Sequence, residues 1–323
     1  MNALEDKIFN ISNAIDFENV ALEVFKWQSQ NCSVYKSFLS YINKPFPLTT
    51  KDIPFLPISF FKSHLITTLD LPVKLEFLSS GTSSSIRSRH LVQKPYMYEK
   101  SFLKIYRNFI GDPSDQVILA LLPNYIEQGN SSLVYMVESL VNESDNELSG
   151  FFLTNYDTLV SNYKKAIELG KDVIIFGVSY ALLDLAEQKI DLSKAQIIET
   201  GGMKGRRKEL PKEELHRLLI EGLGVKFISS EYGMTELFSQ SYSDRDGLFK
   251  MPPWMSVRIR EMNDPFNYTK DEKTGGINVI DLANLYSCCF ISTQDLGKTI
   301  NGDLQLMGRF DNSDLRGCNL MVE

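Results

Sequence analysis

Between residues 172 and 230 the chain alternates short, β-branched apolar runs with helical patterns, and this alternation narrows the fold more than any other feature. "DVIIFG" is a short branched run of the kind that forms a strand buried on both faces. "SYALLDLAEQKI" follows with helical spacing, then "AQIIET" as a second strand. "LPKEELHRLLIEGLG" reads as a second helix, with Pro211 at its first turn and Gly222 and Gly224 near its end, and "KFISS" as a third strand. Strand–helix–strand–helix–strand order predicts parallel pairing with helices packed on the faces. In such sheets ligands sit beyond the carboxyl ends of the strands. Polar loops follow three strand-like runs: "SSGTSSS" after "LEFL", "TGGMKGRR" after "AQIIE", and "SEYGMTE" after "KFIS". Three polar loops at one sheet edge would suit a nucleotide.

The flanks read differently. The first fifty residues are helical in pattern, with Val20, Ala21, Val24 and Phe25 recurring on one face after Asp16 as the capping residue. Beyond about residue 252 the runs "MSVRIRE", "GGINVIDL", "SCCFIST" and "GDLQLMGR" predict strands, in an antiparallel extension or a small barrel. No repeat and no Pro/Gly/Ser-rich linker divides the 323 residues. The expectation is therefore one α/β domain, with a helical part over 1–70 and a strand-rich part from about 252. Hydrophobic residues at 43% and charged residues at 23% fit a soluble protein with a sizeable core. A net charge of −7 speaks against a nucleic-acid groove. No basic segment and apolar run opens the chain, and no stretch nears the ~20 apolar residues of a membrane span. Neither the four cysteines (Cys32, Cys288, Cys289, Cys318) nor the three histidines show metal-ligand spacing. The expectation is a cytoplasmic protein with free thiols and no structural metal.

Several segments carry chemistry that their residue types permit without requiring. In "EFLSSGTSSSIRSRH", six hydroxyl residues surround Gly81 and lead into Arg87 and Arg89. Hydroxyls and backbone N–H groups can wrap an anion that arginine neutralises, so the segment is a phosphate cradle or a solvated hairpin. In "SEYGMTE", Tyr232 beside Gly233 can offer a flat face to a heterocycle, Thr235 can donate to phosphate, and Glu236 can hold Mg²⁺. The same string also suits a plain strand-end turn. Asp295 could accept from both ribose hydroxyls and Arg309 could reach ribose or phosphate, or they are a turn aspartate and a surface ion pair. His64 and His90 read as surface histidines, and the run Arg206, Arg207, Lys208 as a basic turn or a pyrophosphate contact.

Taken together and in order, "SSGTSSSIR", "YGMTE" and "QDLG…GDLQLMGRFDNSDLRG" resemble the phosphate-loop, Tyr-Gly-x-Thr-Glu, and ribose and hinge motifs of the acyl-adenylate-forming superfamily, over most of the chain. Within it, "IPFLPISFFKSH", "FGVSYALLDLAE", "IIETGGMKGRRKE", "MPPWMSVRIRE" and "LRGCNLMVE" resemble the acyl-protein synthetase family of bacterial bioluminescence. The resemblance implies an adenylate-forming large domain, with helix-flanked, mainly parallel sheets and a strand-rich end, lacking the usual small C-terminal domain. It implies that ATP phosphates meet Ser79, Ser80, Gly81, Thr82, Ser83 and Arg87. Gly201 and Gly202 would pass against adenine or the acyl carboxylate, and Tyr232 and Gly233 would receive adenine. Thr235 would contact the α-phosphate, Glu236 would hold Mg²⁺, and Asp295 with Arg309 would bind the ribose. Cys318 falls on the family's acyl-accepting cysteine. Two departures stand out: Ser84 replaces a usual second glycine, and Ile86-Arg87 replaces Pro-Lys. The standard synthetases also carry a further domain of about a hundred residues, an ordinary small-domain size, whereas this sequence stops at Glu323.

The implied function is ATP-dependent conversion of a carboxylic acid, fatty in this family, to acyl-AMP. Transfer to a protein cysteine and delivery to an acyl-reductase partner would follow. The other readings are an acyl- or aryl-CoA or carrier-protein ligase without its C-terminal domain, and a non-catalytic nucleotide-binding scaffold. Cys288 and Cys289, inside an apolar run, read as core, and Cys32 as packing.

Overall fold

Where the alternation predicts strands, strands form, although the third, expected over "KFISS", starts later and spans Ser229–Tyr232, taking in the first residues of the expected loop "SEYGMTE". The computed structural model describes residues 3–310 other than 69, 81–85, 124–128, 154, 202–206 and 208–209. The chain divides into two compact units, one of Leu71–Pro252 and one of Met1–Asp70 with Pro253–Glu323.

In the unit Leu71–Pro252, the strands Gln116–Leu121, Asp172–Val178 and Ala195–Thr200 lie side by side and parallel, in register Gln116↔Asp172 and Val173↔Ala195. Every residue of the first and all but Asp172 of the second are buried. Branched side chains buried on both faces contribute about 1.5–3 kcal/mol apiece. Gly150–Phe151 adds a parallel strand at one margin and Ser229–Tyr232 one at the other. Past Ser229–Tyr232 the pairing turns antiparallel through Ser241–Ser243 and Leu248–Lys250. The helices Ser179–Ala186 and Lys212–Leu223 connect the last three parallel strands and pack on each other. A Cβ on Gly222 would meet the Ala186 carbonyl oxygen at 2.6 Å, so the two backbones approach where only glycine fits. Gly224, at φ +70°, closes the second helix in the left-handed conformation by donating its N–H to Ile220 O.

One expected strand belongs elsewhere. Leu75–Leu78 is not at the edge of the parallel sheet but pairs antiparallel with Arg89–Val92, in a two-stranded ribbon that places Phe77 opposite His90. Each of its residues is answered on one side by the segment that returns from the hydroxyl-rich loop. The reading of "LEFL" as a strand was sound, but the parallel pairing assumed for it was not.

The other unit builds its core from helices and an antiparallel sheet. Helix Ala14–Asn31 buries Val20, Ala21, Val24 and Phe25, the predicted stripe, together with Gln28. Its cap is Asn13, whose side chain accepts from the backbone of Ile15 and Asp16, whereas Asp16 accepts from Ser12 and the Asn13 amide. The strands Met255–Arg260, Gly275–Asp281, Phe290–Ile300 and Asp303–Arg309 pair in sequence order, with Leu56–Pro57 parallel to the third. The third strand begins at Phe290, later than "SCCFIST" suggests. Cys288 and Cys289 lie fully buried just before it, where burial raises both thiols well above the ordinary range. Gln28 fastens this turn: its Nε2 approaches the carbonyls of Asn284, Leu285 and Ser287, and its Oε1 accepts the Cys289 N–H at 2.9 Å. Among the described residues no helix is long and apolar enough to cross a membrane.

Candidate active site

The carboxyl ends of the parallel strands in unit Leu71–Pro252 carry two of the three predicted loops, and buried side chains tie them together. Strand Ala195–Thr200 runs out at Gly201, which is exposed at φ +69°. Strand Ser229–Tyr232 runs out at Gly233. Thr200 Oγ1 donates to Glu231 Oε2, joining the two strand ends. Ser179, the first residue after the neighbouring strand, places its hydroxyl against Glu199 Oε1 and, at 3.2 Å, the Gly201 carbonyl. Ser230 Oγ lies 3.1 Å from Glu199 Oε2 and 3.2 Å from His216 Nε2. Lys212, at the start of its helix, brings Nζ within 3.7 Å of Glu199 Oε2.

Two buried carboxyls on core strands thus lie beside the half-buried Lys212 and His216 of the helix, and the electrostatics follow from that. Burial pushes the Glu231 carboxyl up to about 7, against the lowering effect of the Thr200 hydroxyl. Burial also lowers the Lys212 ammonium, opposed by Glu199 and Glu231, and lowers the His216 imidazole, helped by Lys212. Glu199, Glu231, Lys212 and His216 had no assigned role in the sequence. The signal available was an acid within each of two core-strand patterns, "IIET" and "SSEY".

The flanks of the hydroxyl-rich loop are closed by backbone and side chain. Ser79 N–H donates to Ser88 O at 3.0 Å, and Ser88 N–H to Ser79 Oγ at 2.9 Å. Arg87 is exposed but turned back on the loop's own base, with Nε on the Ser79 carbonyl and Nη2 3.5 Å from Leu78 O. Ser79 is half-buried and Ser80 exposed. Gly81, Thr82 and Ser83 lie outside the described residues, as do Gly202 and Cys318.

Tyr232 is buried, its ring edge-on to Phe249 at 5.9 Å. Thr235 and Glu236 lie in a turn closed by Leu237 N–H to Met234 O at 3.0 Å, with Thr235 half-buried and Glu236 buried. His90 holds this turn: Nδ1 lies 2.7 Å from the Thr235 carbonyl, and the ring stacks on Phe238 at 4.7 Å. His90 is fully buried, not on the surface as expected. Arg207 ion-pairs with Asp184 of helix Ser179–Ala186 and with Glu187 just after it, while Arg206 and Lys208 lie outside the described residues. His64 is exposed, as read.

In the other unit, Asp295 and Arg309 face each other across paired strands. Arg309 Nε donates to Asp295 Oδ1 at 2.8 Å, with Asp295 buried and Arg309 exposed. Burial lowers the Arg260 guanidinium, opposed by Asp295, and Arg260 donates to the carbonyls of Ile277 and Thr293 and to Asn278 Oδ1. A Cβ on Gly276 would fall 2.4 Å from its guanidinium carbon, so glycine makes the room for Arg260.

Chemically, the sheet edge offers glycine backbone, hydroxyls, a tyrosine and a carboxylate turn. Among the described residues, no three His, Cys, Asp or Glu side chains group as a metal cage. A Mg²⁺ that arrives with nucleotide phosphates and keeps its waters needs only one or two carboxylates, a donor set that Glu236 fits.

The family model described as acyl-protein synthetase, LuxE, matches residues 12–323. No curated protein is a significant match. Among solved structures, ATP-bound MatB from Rhodopseudomonas palustris is 17% identical with a TM-score of 0.55, covering 75% of this chain and 50% of its own. An open form of 2-hydroxyisobutyryl-CoA ligase with 2-HIB-AMP and CoA is 11% identical with a TM-score of 0.67, covering 94% of this chain and 72% of its own. A luciferase-like enzyme from the nonluminescent mealworm Zophobas morio is 12% identical with a TM-score of 0.53, covering 76% and 60%. The chain thus spans about half the length of MatB. These likenesses establish an α/β fold of the adenylate-forming kind.

Proposed function

Because the chain belongs to the LuxE acyl-protein synthetase family, we propose that it activates a carboxylic acid as acyl-AMP and passes the acyl group to a protein cysteine. The observation that carries this reading is the tying of the loop flanks in one unit: the turn of Thr235 and Glu236 to the hairpin of Ser79 and Arg87 through His90, and Thr200, which precedes Gly201, to Glu231, which precedes Tyr232. Nucleotide phosphates would meet Ser79, Ser80, Gly81, Thr82, Ser83 and Arg87, adenine would meet Tyr232 and Gly233, and Gly201 with Gly202 would pass the adenine or the acid's carboxylate. Asp295 and Arg309 are assigned the ribose hydroxyls. Glu236 would hold Mg²⁺, whose charge offsets that of the phosphates.

In the first step a carboxylate oxygen attacks the α-phosphorus while the bond to the β-phosphate oxygen breaks. Pyrophosphate leaves and a mixed anhydride remains. The chain's contribution is positioning and charge: Thr235 donates toward the α-phosphate oxygen and Arg87 neutralises phosphate charge. In the second step a thiolate attacks the activated carbonyl carbon, the bond to AMP breaks, and a thioester forms, the thiol proton having gone to solvent. Cys318 is assigned as that thiol because it falls on the position that the family resemblance gives to the acyl-accepting cysteine, whereas Cys32, Cys288 and Cys289 are buried. The acid is proposed to be fatty, the site of action the cytoplasm, and the onward recipient an acyl reductase.

The test is acid-dependent exchange of labelled pyrophosphate into ATP across a panel of aliphatic and aromatic acids. Exchange with one class, and covalent labelling by that acid which Cys318→Ser abolishes while exchange persists, is the expected result. Exchange with no acid would end the adenylation reading. Labelling that survives Cys318→Ser, or AMP release that requires CoA and not Cys318, would end the acyl-cysteine assignment.

A further inference from the structure

The segment around the Thr235–Glu236 turn is held from two sides. From one side, helix Pro95–Phe109 packs Tyr98 on Phe238 at 5.2 Å and places Ser101 Oγ 3.1 Å from Ser239 Oγ. Those contacts fix the chain after the turn. The other hold is on Thr235 itself and comes from the strand that leaves the hydroxyl-rich loop. His90 sits two residues beyond Ser88, whose backbone closes the loop base against Ser79. Its ring lies nearly parallel to Phe238, at 26°, and its Nδ1 meets a carbonyl oxygen at 2.7 Å. A carbonyl only accepts, so Nδ1 carries the proton.

We infer that His90 is a positioning residue for ATP: by donating Nδ1–H to the Thr235 carbonyl it sets the spacing between the phosphate-loop hairpin and the turn that carries Thr235 and Glu236. This rests on the adenylation reading, in which the loop meets the outer phosphates and Thr235 the α-phosphate. Without the bond, each anchor binds its phosphate group, but their separation is no longer fixed. A ring kept neutral by burial, at about 4, holds the bond unchanged across the neutral range.

Two substitutions separate positioning from packing. His90→Phe keeps a flat ring on Phe238 and removes the donor. His90→Asn loses the ring and keeps a donor, because the asparagine amide nitrogen reaches where Nδ1 lies. For positioning, kcat/KM for ATP in pyrophosphate exchange falls about tenfold in His90→Phe, the equivalent of one hydrogen bond near 1.4 kcal/mol. It returns to within about threefold of the parent in His90→Asn, by the same conversion, while KM for the acid does not move. Thermal stability runs the other way, with His90→Phe the more stable variant, since the stacking is kept. His90→Phe within twofold of the parent, or His90→Asn no better than His90→Phe, overturns the inference. The dissociation constant for ATP, measured by calorimetry on the same three proteins without acid, should show the same order. If the parent exchanges with no acid, the adenylation reading fails and the calorimetric order alone decides for or against His90. A parent that binds no ATP overturns both.

Discussion

A Cβ placed on Gly233 would lie 2.3 Å from Glu231 Oε1. That carboxyl is buried and accepts from Thr200, so moving it aside costs that bond. The strain of Gly233→Ala must then pass into the turn after Tyr232. We expect the KM for ATP in the exchange assay to rise about tenfold, near 1.4 kcal/mol, and the effects of Gly233→Ala and Glu231→Ala to combine less than additively in a double-mutant cycle. Strict additivity would show that the two side chains do not compete for that space. The candidate site residues that the sequence offers are those whose types make a motif by themselves: Ser79, Arg87, Gly201, Tyr232, Thr235, Glu236. Arg87 shows the limit of such reading, since its guanidinium turns to the Ser79 and Leu78 carbonyls of its own loop. His90 and Glu231 were missed because burial is decided by what lands on a residue. Phe238 covers His90 from far along the chain, and nothing local to "SRHLV" announces it.

At the scale of elements, the sequence spoke most clearly where one pattern filled one strand. "AQIIET" became Ala195–Thr200 with the same ends, and the helix after it stops at the predicted glycine. It spoke less clearly where hydrogen bonds outside the element set the limits. The turn at Cys288 and Cys289 is apolar enough for a strand, yet Gln28 takes up its backbone and holds it as a turn. Replacing that side chain by leucine fills the same volume but leaves buried carbonyls and one N–H without it. Gln28→Leu is therefore expected to cost about 2–4 kcal/mol of unfolding free energy in urea, with the slope on urea unchanged. A loss below about 1 kcal/mol would mean that water replaces the amide there. Gly224→Ala is a smaller case of the same kind. Its φ of +70° is strained for a residue with a Cβ, so a loss of about 1 kcal/mol is expected in the same titration.

For the molecule as a whole, composition marked no boundary, because the chain crosses between its two compact units at Asp70–Leu71 and Pro252–Pro253 without a linker. Parallel and antiparallel regions were legible from strand order, but which segments share a core depends on contacts between the two ends of the chain. Tyr286 donating to Glu5 is one example. Whole-molecule stability also sums opposed titrations that no single motif reveals. Burial lowers His90 from 6.5 to about 4. The unfolded chain therefore binds more protons between those values, and the contribution of His90 is complete above 6.5 and lost as pH falls toward 4. Burial raises Glu231 from 4.5 to about 7, so here the folded chain binds more protons, and its contribution is complete below 4.5 and lost as pH rises toward 7. Between pH 4.5 and 6.5 the two slopes oppose, each at most about 1.4 kcal/mol per pH unit. His90→Phe should uncover the falling slope, its unfolding free energy declining relative to the parent from pH 4 to 6.5, where the His90 term is lost. Glu231→Gln should uncover the rising one, its unfolding free energy climbing relative to the parent from pH 4.5 to 7. The exposed carboxylates lowered by local hydrogen bonds, such as Asp52 and Asp191, are common to all three proteins and cancel in the comparison. Melting temperatures of the three taken at half-unit steps of pH would diverge from the parent in opposite directions; parallel curves would mean that neither group is held away from its ordinary titration in the folded protein.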